Sequence, residues 1–541
     1  MGAVVEVSYF NSYKLLSVNG QSGTNAEGLY PGLPWNPIGY PEFPVQARTN
    51  SNVSFEWYVE EARIRGGYNN TSTGLGPRAY ISEDNDNLQS FGSGLIYSGI
   101  FNSKTAVNQT NVFSVGEQIT RSLDPRYGSV NFIHARDTDL TVFQQNKVSR
   151  ALIDKDALYS AEGTSTVVTA QAVIGTITPY EGDYGISNQP ESFSYYGFRR
   201  YFSDVNRGAI MRLSRDGLTE ISQYGMSDYF RDQLSSLSND FKTFSFTSNI
   251  TNGSQGSSQI TLSSNASSLE LGMQLQFNTG QVVYVASFNS TTGVTNISSA
   301  LTSAATSVTA TKKVKDKIVG AWDAHSKNYI LSIQPALTDP SATDSYKTLN
   351  FDDGLNGWVS FFTYKPTEPN SLKNVYYSFN GNTLYRHYAG STRNNFYGVS
   401  SPSFVEFIFN PNPSAKKLFQ TVNYEGYNGW EITSFKSDET GIDSGSFYND
   451  TTLAVKSYNE GRYKDTITQQ TRRAGFDRKE NLYVANLVNN TPAMPNEVIF
   501  GSSISGIKGY FATVKIQTDS TTDISGVKEL FAVGTKFIQS S

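Results

Sequence analysis

AIMRLSRDGLTEIS, at residues 209–222, is the stretch that decides the fold class, because it joins two apolar runs through a polar turn. Its Asp216-Gly217 pair supplies the positive φ angle that a tight turn needs. The segment therefore predicts a β-hairpin. Four more segments share this style, and Asn380-Gly381 gives a second turn of the same kind. They read DLTVFQQNKVSRAL (139–152), IVGAWDAHSKNYILSI (318–333), KTLNFDDGLNGWVSFF (347–362) and VYYSFNGNTLYRHY (375–388).

Repeated hairpins with many aromatic residues predict an all-β fold with minor α content. Hairpins in series are typical of the radially arranged blades of a β-propeller. We therefore expect a propeller-like body of antiparallel hairpins in two parts, residues 55–243 and 314–400. One helix is predicted at 228–238, with Ser227 as its N-cap. Its buried face should hold Phe230, Leu234 and Leu237.

Three other regions surround or interrupt this body. Residues 1–54 hold a first strand and a proline-rich N-terminal arm, and residues 401–541 form a C-terminal β region. Residues 244–313 are almost free of charge and rich in Ser, Asn and Thr. Their apolar residues are nevertheless regularly spaced. We therefore expect a small folded β module inserted at a surface loop rather than a disordered linker.

Composition excludes several classes of function. The 541 residues include no cysteine, which excludes disulfides, thiol catalysis and cysteine-ligated metals. The net charge is −5, so no general attraction to nucleic acid is expected. No apolar run approaches the roughly 18 residues of a membrane span, and the N-terminus lacks a signal-peptide pattern. We therefore expect a protein that is assembled in a reducing cytoplasm and not inserted into a membrane.

Residues that could carry chemistry are few and scattered. His134, His325 and His387 lie in different hairpins without metal-ligand spacing. The adjacent pair Asp352-Asp353 precedes a glycine, which favours a turn over a glycosidase carboxylate pair. No nucleophile or nucleotide-binding motif is present. We expect no enzymatic activity, no cofactor and no bound metal.

Aromatic residues beside prolines or arginines mark candidate interfaces. In the arm, five prolines surround three aromatic residues, and the arm either wraps on its own domain or grips a neighbour. Two arginine pairs also adjoin aromatic residues. Such groups can stack on bases or sugars, but the acidic chain favours a protein–protein interface. The candidate interface residues are Trp35, Tyr40, Phe43, Arg199, Arg200, Arg472 and Arg473.

Several segments resemble those of tailed-bacteriophage virion structural proteins. They read LSRDGLTEISQYGMSDYFRD (213–232), GWVSFFTYKP (357–366), VEFIFNPNPSAKKLF (405–419) and PNEVIFGSSISGIKGYFATVKI (495–516). These segments are similar to the tail nozzle or muzzle components of crAss-like and marine phages. The resemblance covers most of residues 55–243 and 314–541 and skips the module at 244–313.

The resemblance implies a propeller-bearing subunit in a homo-oligomeric ring that completes the tail and passes or retains DNA. Other tail proteins, such as an adaptor, tail fibre or baseplate protein, would be its partners, and double-stranded DNA would contact it only transiently. It would act in the virion tail during DNA ejection or host attachment, after assembly in the host cytoplasm. Two alternatives remain open: a baseplate component of a contractile tail, and a tail-borne protein that binds host-surface glycans.

Overall fold

The structure is a computed structural model that is mostly β, with 52% strand and 6% helix, which confirms the predicted all-β class with minor helix. The described residues are 91–99, 101–102, 104–113, 119–136, 139–159, 165–438, 455–458, 475–487, 506–523 and 526–539, together with short strands at 14–16, 57–59, 441–443, 463–464 and 471–472. For these short strands, and for residues 136, 154–159 and 165–172, the description covers the backbone alone. They fall into two compact units, Met1–Leu384 and Tyr385–Ser541.

The first unit opens with short strands paired in three ladders. The strands are β1 (Lys14–Leu16), β2 (Trp57–Val59), β3 (Gly94–Ile96), β4 (Phe101–Asn102), β5 (Val107–Asn108) and β6 (Thr120–Ser122). β1 pairs with β2, β3 with β6, and β4 with β5, all antiparallel.

Two four-stranded meanders follow, in which strands that are neighbours in sequence are also neighbours in the sheet. Meander 1 contains β7 (Val130–Arg136), β8 (Asp139–Gln144), β9 (Val148–Tyr159) and β10 (Ser165–Pro179). Meander 2 contains β11 (Ser194–Tyr196), β12 (Arg199–Asp204), β13 (Ala209–Ser214) and β14 (Gly217–Glu220). The opening sequence stretch is the β13–β14 hairpin, and Gly217 has the positive φ that its turn predicts, 105°.

Helix α1 (Ser227–Ser235) comes after meander 2 and is the one α-helix in the described part of the chain. Phe230 and Leu234 are buried on the helix, as their spacing predicts, whereas the predicted end at 238 is wrong: the helix ends at Ser235, and Leu237 is buried beyond it. The predicted N-cap is wrong: Ser227 is already helical, and Met226 occupies the cap position without a side-chain hydrogen bond. The backbone N–H groups of the first helical turn, which have no partner within the helix, are therefore not capped by the Ser227 side chain.

The next segment forms a closed six-stranded barrel in the order β15-β16-β19-β18-β17-β20. Its strands are β15 (Lys242–Thr251), β16 (Gln259–Leu262), β17 (Gln274–Phe277), β18 (Val282–Phe288), β19 (Val294–Ile297) and β20 (Ser307–Val314). Alternate residues of each strand point inward and fill the interior with Ile, Leu, Val and Phe side chains. Closure leaves most of the Ser, Thr and Asn residues on the outside, although Ser248 and Thr295 are buried.

The first and last barrel strands pair along their length, from Lys242 opposite Val314 to Asn249 opposite Ser307. Deleting residues 246–312 therefore leaves two ends on neighbouring strands, which a short Gly/Ser linker can join at little entropic cost, about 0.6 kcal/mol per doubling of loop length. We expect the deletion variant to be soluble and to unfold at a temperature close to that of the parent, as measured by calorimetry. An insoluble variant beside a soluble parent would contradict this.

Meander 3 follows the barrel. It contains β21 (Lys317–Asp323), β22 (Asn328–Gln334), β23 (Lys347–Asp352) and β24 (Gly357–Phe362). A three-stranded sheet comes next, with β25 (Glu368–Leu372), β26 (Val375–Asn380) and β27 (Thr383–Arg386). All five predicted hairpins are confirmed as antiparallel pairs: β8–β9, β13–β14, β21–β22, β23–β24 and β26–β27. Two of them, β21–β22 and β23–β24, belong to one sheet.

The meanders pack face to face in chain order. One core cluster joins meander 1 to meander 2 through residues such as Phe143 and Phe202. A second joins meander 2, helix α1 and meander 3, and it includes Tyr201 and Tyr329. Gly320 on β21 lies so close to the Ser192 carbonyl oxygen that an added Cβ would collide with it. The central strands β12 and β13 of meander 2 are therefore largely buried on both faces, while Tyr195 and Tyr196 on β11 are exposed.

A stack of four aromatic rings runs between meanders 2 and 3. Tyr196 stacks on Trp322 at 4.5 Å, Trp322 on Tyr201 at 5.5 Å, and Tyr201 on Tyr329 at 4.8 Å between ring centroids. The buried Tyr329 hydroxyl donates a hydrogen bond of 2.7 Å to the Ser192 carbonyl oxygen. The stack thus reaches from the exposed Tyr196 to a fully buried ring.

Asp316 ties the barrel strands to the rest of the first unit. Its buried carboxylate accepts hydrogen bonds from Lys242 Nζ and from the backbone N–H groups of Ser238 and Ala336, each at 2.7 Å. Burial tends to raise the pKa of Asp316, but these hydrogen bonds outweigh it and hold the pKa below its usual value.

Replacing Asp316 with asparagine should destabilise the first unit by about 2 kcal/mol at pH 7, since hydrogen bonds to a charged group contribute about that much. The folded-state pKa of Asp316 is depressed. Its carboxylate therefore stabilises the fold above the unfolded pKa, and this contribution is lost as the pH falls through the folded pKa. The wild-type and D316N unfolding free energies should differ fully at pH 7, begin to converge as the pH falls below about 4, and become equal only below the folded-state pKa of Asp316. Urea denaturation checks this, with the exposed Asp240→Asn as control, and a difference independent of pH would argue against it.

The second unit is a β-sandwich. Its strands are β28 (Asn395–Phe396), β29 (Val399–Ser400), β30 (Phe404–Phe409), β31 (Lys417–Gly426), β32 (Trp430–Ser437), β33 (Gly441–Asp443), β34 (Tyr463–Lys464), β35 (Thr471–Arg472), β36 (Asp477–Lys479), β37 (Leu482–Asn486), β38 (Ile507–Gly509), β39 (Ala512–Thr518) and β40 (Leu530–Gln539). One sheet has the order β30-β39-β32-β33. In the other, β31 pairs with β40 on one side and with β37 and β38, while β36 pairs with β37.

Both sheets contribute to a single core, which includes Phe435, Val514 and Ile516 from one and Phe419 and Tyr424 from the other. Along β39 the residues are buried and half-buried in turn, so one face of the strand points into the core. Strand alternation therefore defines which face of each sheet is covered and which is open to contact.

Candidate interfaces and a cleft in the C-terminal unit

The structure describes only some of the interface residues predicted from the sequence. Trp35, Tyr40, Phe43 and Arg473 lie outside the described residues. Arg472 is described only as backbone of the short strand β35. An interface role for these five residues stays a prediction.

Arg199 and Arg200 begin β12 and make contacts inside the chain. Arg199 forms an ion pair with Asp353 in the turn between β23 and β24, and Arg212 pairs with the same carboxylate at 2.6 Å. Arg200 is buried, and its Nε donates a hydrogen bond of 3.2 Å to His134 Nδ1 on β7. The two arginines thus fasten meander 2 to both of its neighbours, and an interface role stays a prediction for each.

The aromatic residues before these arginines form the exposed part of the motif. Tyr195, Tyr196 and Phe198 are exposed on β11 and in the turn after it. The Arg215 guanidinium lies 3.6 Å from the ring centroid of Phe198. Large aromatic side chains held in place on one side and open on the other are typical anchors of protein interfaces.

The carboxylates of the adjacent Asp352 and Asp353 have structural partners in and around the turn after β23. Asp352 Oδ1 accepts hydrogen bonds from the N–H groups of Gly354 and Leu355 at 2.8 and 3.1 Å, while Asp353 forms ion pairs with the two arginines.

Within the described ranges, no three His, Asp or Glu side chains cluster in a way that could hold a metal ion. Among the same residues, no helix has the length and apolar character of a membrane span.

Two strands of the sandwich have an outer edge that no strand in the described ranges pairs with. β30 pairs only with β39, and β40 pairs only with β31. On β30, Phe404 is 54% exposed and Ile408 is 60% exposed. β40 carries the exposed Ile538. An apolar edge strand is a template for pairing with another chain.

A cleft of about 660 Å³ lies at one end of the sandwich. Three connections meet there: the turn after β31, the β36–β37 turn and the segment between β39 and β40. Its lining includes an exposed aromatic pair, four polar residues and the edge of a buried tyrosine. These are Tyr427, Phe531, Glu425, Asn481, Arg478, Asp523 and Tyr483.

A buried ion pair braces this end of the sandwich. Lys528 Nζ lies 2.7 Å from Asp519 Oδ1, and both side chains are almost fully buried. Thr522 Oγ1 donates to the same carboxylate at 2.7 Å, and Ser457 Oγ also donates to it. Burial tends to raise the pKa of Asp519, but the hydrogen bonds from Lys528, Ser457 and Thr522 outweigh it and lower the pKa.

The nearby Glu431 has the opposite shift, because burial raises its pKa and the hydrogen bond of 3.0 Å from Gln517 opposes this only in part. Asp519 therefore carries the negative charge that holds Lys528 in place. The pair fixes Lys528, which is part of the cleft lining.

Sequence reasoning did not find the cleft. EGYNG at 425–429 reads as an ordinary turn, and Phe531 reads as one residue of a strand. The sequence contains one indication of the cleft, an aromatic residue within a Gly/Asn turn. Turns on a rigid scaffold often carry functional residues.

One known protein family matches part of the C-terminal sandwich. Residues 391–490 match the family model of the Crassvirus muzzle protein C-terminal domain. No curated protein matches the chain. The match supports a structural protein of a virion tail. More narrowly, it supports a crassvirus muzzle-type tail protein, and the resemblance seen in the sequence is thereby confirmed.

Proposed function

We propose that the chain forms a homo-oligomeric ring that completes the phage tail and passes or retains DNA. The observation that carries this proposal is the family match over 391–490, which falls on a sandwich with apolar edges. A muzzle-type tail protein is suited to association with further copies if the outer edges of its sandwich, which pair with no strand in the described ranges, are open.

The two edges of the sandwich differ, and this difference favours a ring. β30 and β40 belong to different sheets and have different sequences. A contact between unlike surfaces of identical subunits is heterologous, and it produces a closed ring when the rotation between neighbours closes. Pairing of β30 in one copy with β40 in the next meets this condition.

The stacked meanders support a propeller-like body as part of the proposal. Each of the three has four antiparallel strands in sequence order, as a propeller blade has. Successive meanders share cores face to face. The contact between neighbouring blades in a propeller is of this type.

The charge of the chain supports transient rather than tight contact with DNA. Lys and Arg number 43 against 48 Asp and Glu, so the ring would carry no excess of cations to hold phosphates. DNA could then move through the channel without being gripped. We expect no enzymatic turnover.

Mass photometry of the purified full chain, together with protein mass spectrometry of gradient-purified virions, tests this proposal. We expect one uniform oligomer in solution and the same number of copies in each virion. A monomer in solution and absence from virions would overturn it. Presence in particles that also contain contractile-sheath proteins would instead support the baseplate alternative.

A further inference from the structure

We propose that the cleft at the end of the C-terminal sandwich binds a neutral oligosaccharide. This function goes beyond tail assembly and does not depend on it. Tyr427 is 50% exposed and Phe531 is 65% exposed, and both line the same cleft. Exposed aromatic rings in a concave site offer apolar faces, and sugar rings have C–H faces that pack against them.

Polar side chains line the same cleft as these rings. Glu425, Asn481 and Asp523 form no side-chain hydrogen bond or ion pair with any other described residue. Arg478 uses its Nε for the Glu480 carbonyl oxygen at 3.2 Å, which leaves the other N–H groups of the guanidinium available. The cleft thus presents donors and acceptors together, as hydroxyl groups that both donate and accept require.

The charges in the cleft favour a neutral ligand. Asp519 neutralises Lys528, so Arg478 is the cationic side chain of the lining that has no carboxylate partner in the described residues. The lining also contains two carboxylates, those of Glu425 and Asp523. This balance disfavours sulfated or uronic-acid sugars, because an anionic ligand would meet two carboxylates and one guanidinium.

The cleft is built on a rigid scaffold, as a binding site requires. Its floor adjoins Tyr483, which stacks on Tyr424 in the core at 4.7 Å. The Tyr427 N–H donates to the Glu529 carbonyl oxygen at 2.8 Å, which links two of the cleft's walls. Its volume lies within the range of about 300–1,000 Å³ that small-molecule sites have.

Affinity electrophoresis of the full chain tests the proposal. The probes are glucan, mannan, galactan and xylan as neutral polysaccharides, with alginate and chondroitin sulfate as anionic ones. Calorimetry with the hexasaccharide of any hit then gives a Kd. We expect retardation by at least one neutral polysaccharide, and at least tenfold weaker binding by Y427A, F531A and N481A.

Phe241→Ala is the matched control, because Phe241 is 69% exposed and lies in the other unit. It should bind as the wild type does. Thermal unfolding of each variant shows whether it is folded. N481A removes a side chain that forms no hydrogen bond with another described residue, so it remains informative if an aromatic variant unfolds. Absence of neutral-glycan binding, preference for an anionic probe, or equal binding by the cleft variants would each overturn the proposal. Virion mass spectrometry measures the tail role separately.

Discussion

Lysine at both Phe404 and Ile408 should abolish self-assembly of the purified chain while leaving it folded. The two residues lie four positions apart on β30, and both are exposed, so their replacement leaves the sandwich core intact. A buried interface anchor contributes about 2 kcal/mol or more, and lysine on an edge strand opposes pairing with another strand. Each subunit of a ring uses this edge once, so the two substitutions weaken every contact between neighbouring subunits.

Mass photometry gives the fraction of oligomer, and we expect it to fall at least tenfold at equal concentration. The control places lysines at Leu271 and Val282, two exposed apolar residues of the barrel. That variant should assemble normally. Normal assembly of the β30 variant, with an unchanged melting temperature, would show that the ring does not use this edge.

Tyr329→Ala should destabilise the first unit by about 3–5 kcal/mol, the range for removing a large buried aromatic side chain. Tyr329 is fully buried, and its ring is the inner end of the four-ring stack between meanders 2 and 3. Its loss also leaves the Ser192 carbonyl oxygen without its side-chain donor.

Tyr329→Phe is the matched control, because it keeps the ring and removes only the hydroxyl. We expect a cost of about 1–3 kcal/mol for the unsatisfied acceptor. Chemical denaturation followed by tryptophan fluorescence measures both, since Trp322 belongs to the stack. If the two variants were destabilised equally, ring packing between the meanders would contribute nothing, and a shared core would be excluded.

Local patterns predicted the strands well and the larger arrangement less well. The alternation along residues 512–517 and the Asp216-Gly217 turn act over a few residues, so the sequence alone predicts them. The hairpins at 318–333 and 347–362 read as separate units, yet they form one sheet, because their connection depends on which long-range contacts β22 and β23 make.

The interior polar contacts could not be predicted, because they join residues far apart in sequence. Lys417 reads as a surface lysine beside Lys416, but it is fully buried, and its Nζ donates to the carbonyl oxygens of Asn412 and Ala415. Asp353 likewise reads only as a turn residue, although it pairs with Arg199 and Arg212. The aromatic–arginine motif at 195–200 likewise does not reveal that Arg199 and Arg200 have partners inside the chain, because Asp353 and His134 are far away in the sequence.

Cryo-electron microscopy of the intact virion tests the central claim most directly. A muzzle-type ring predicts density for this chain around the tail axis, with the sandwich of each copy contacting its neighbour through β30. A chain found at the capsid, in isolated fibres, or in copies that do not touch one another would contradict the account.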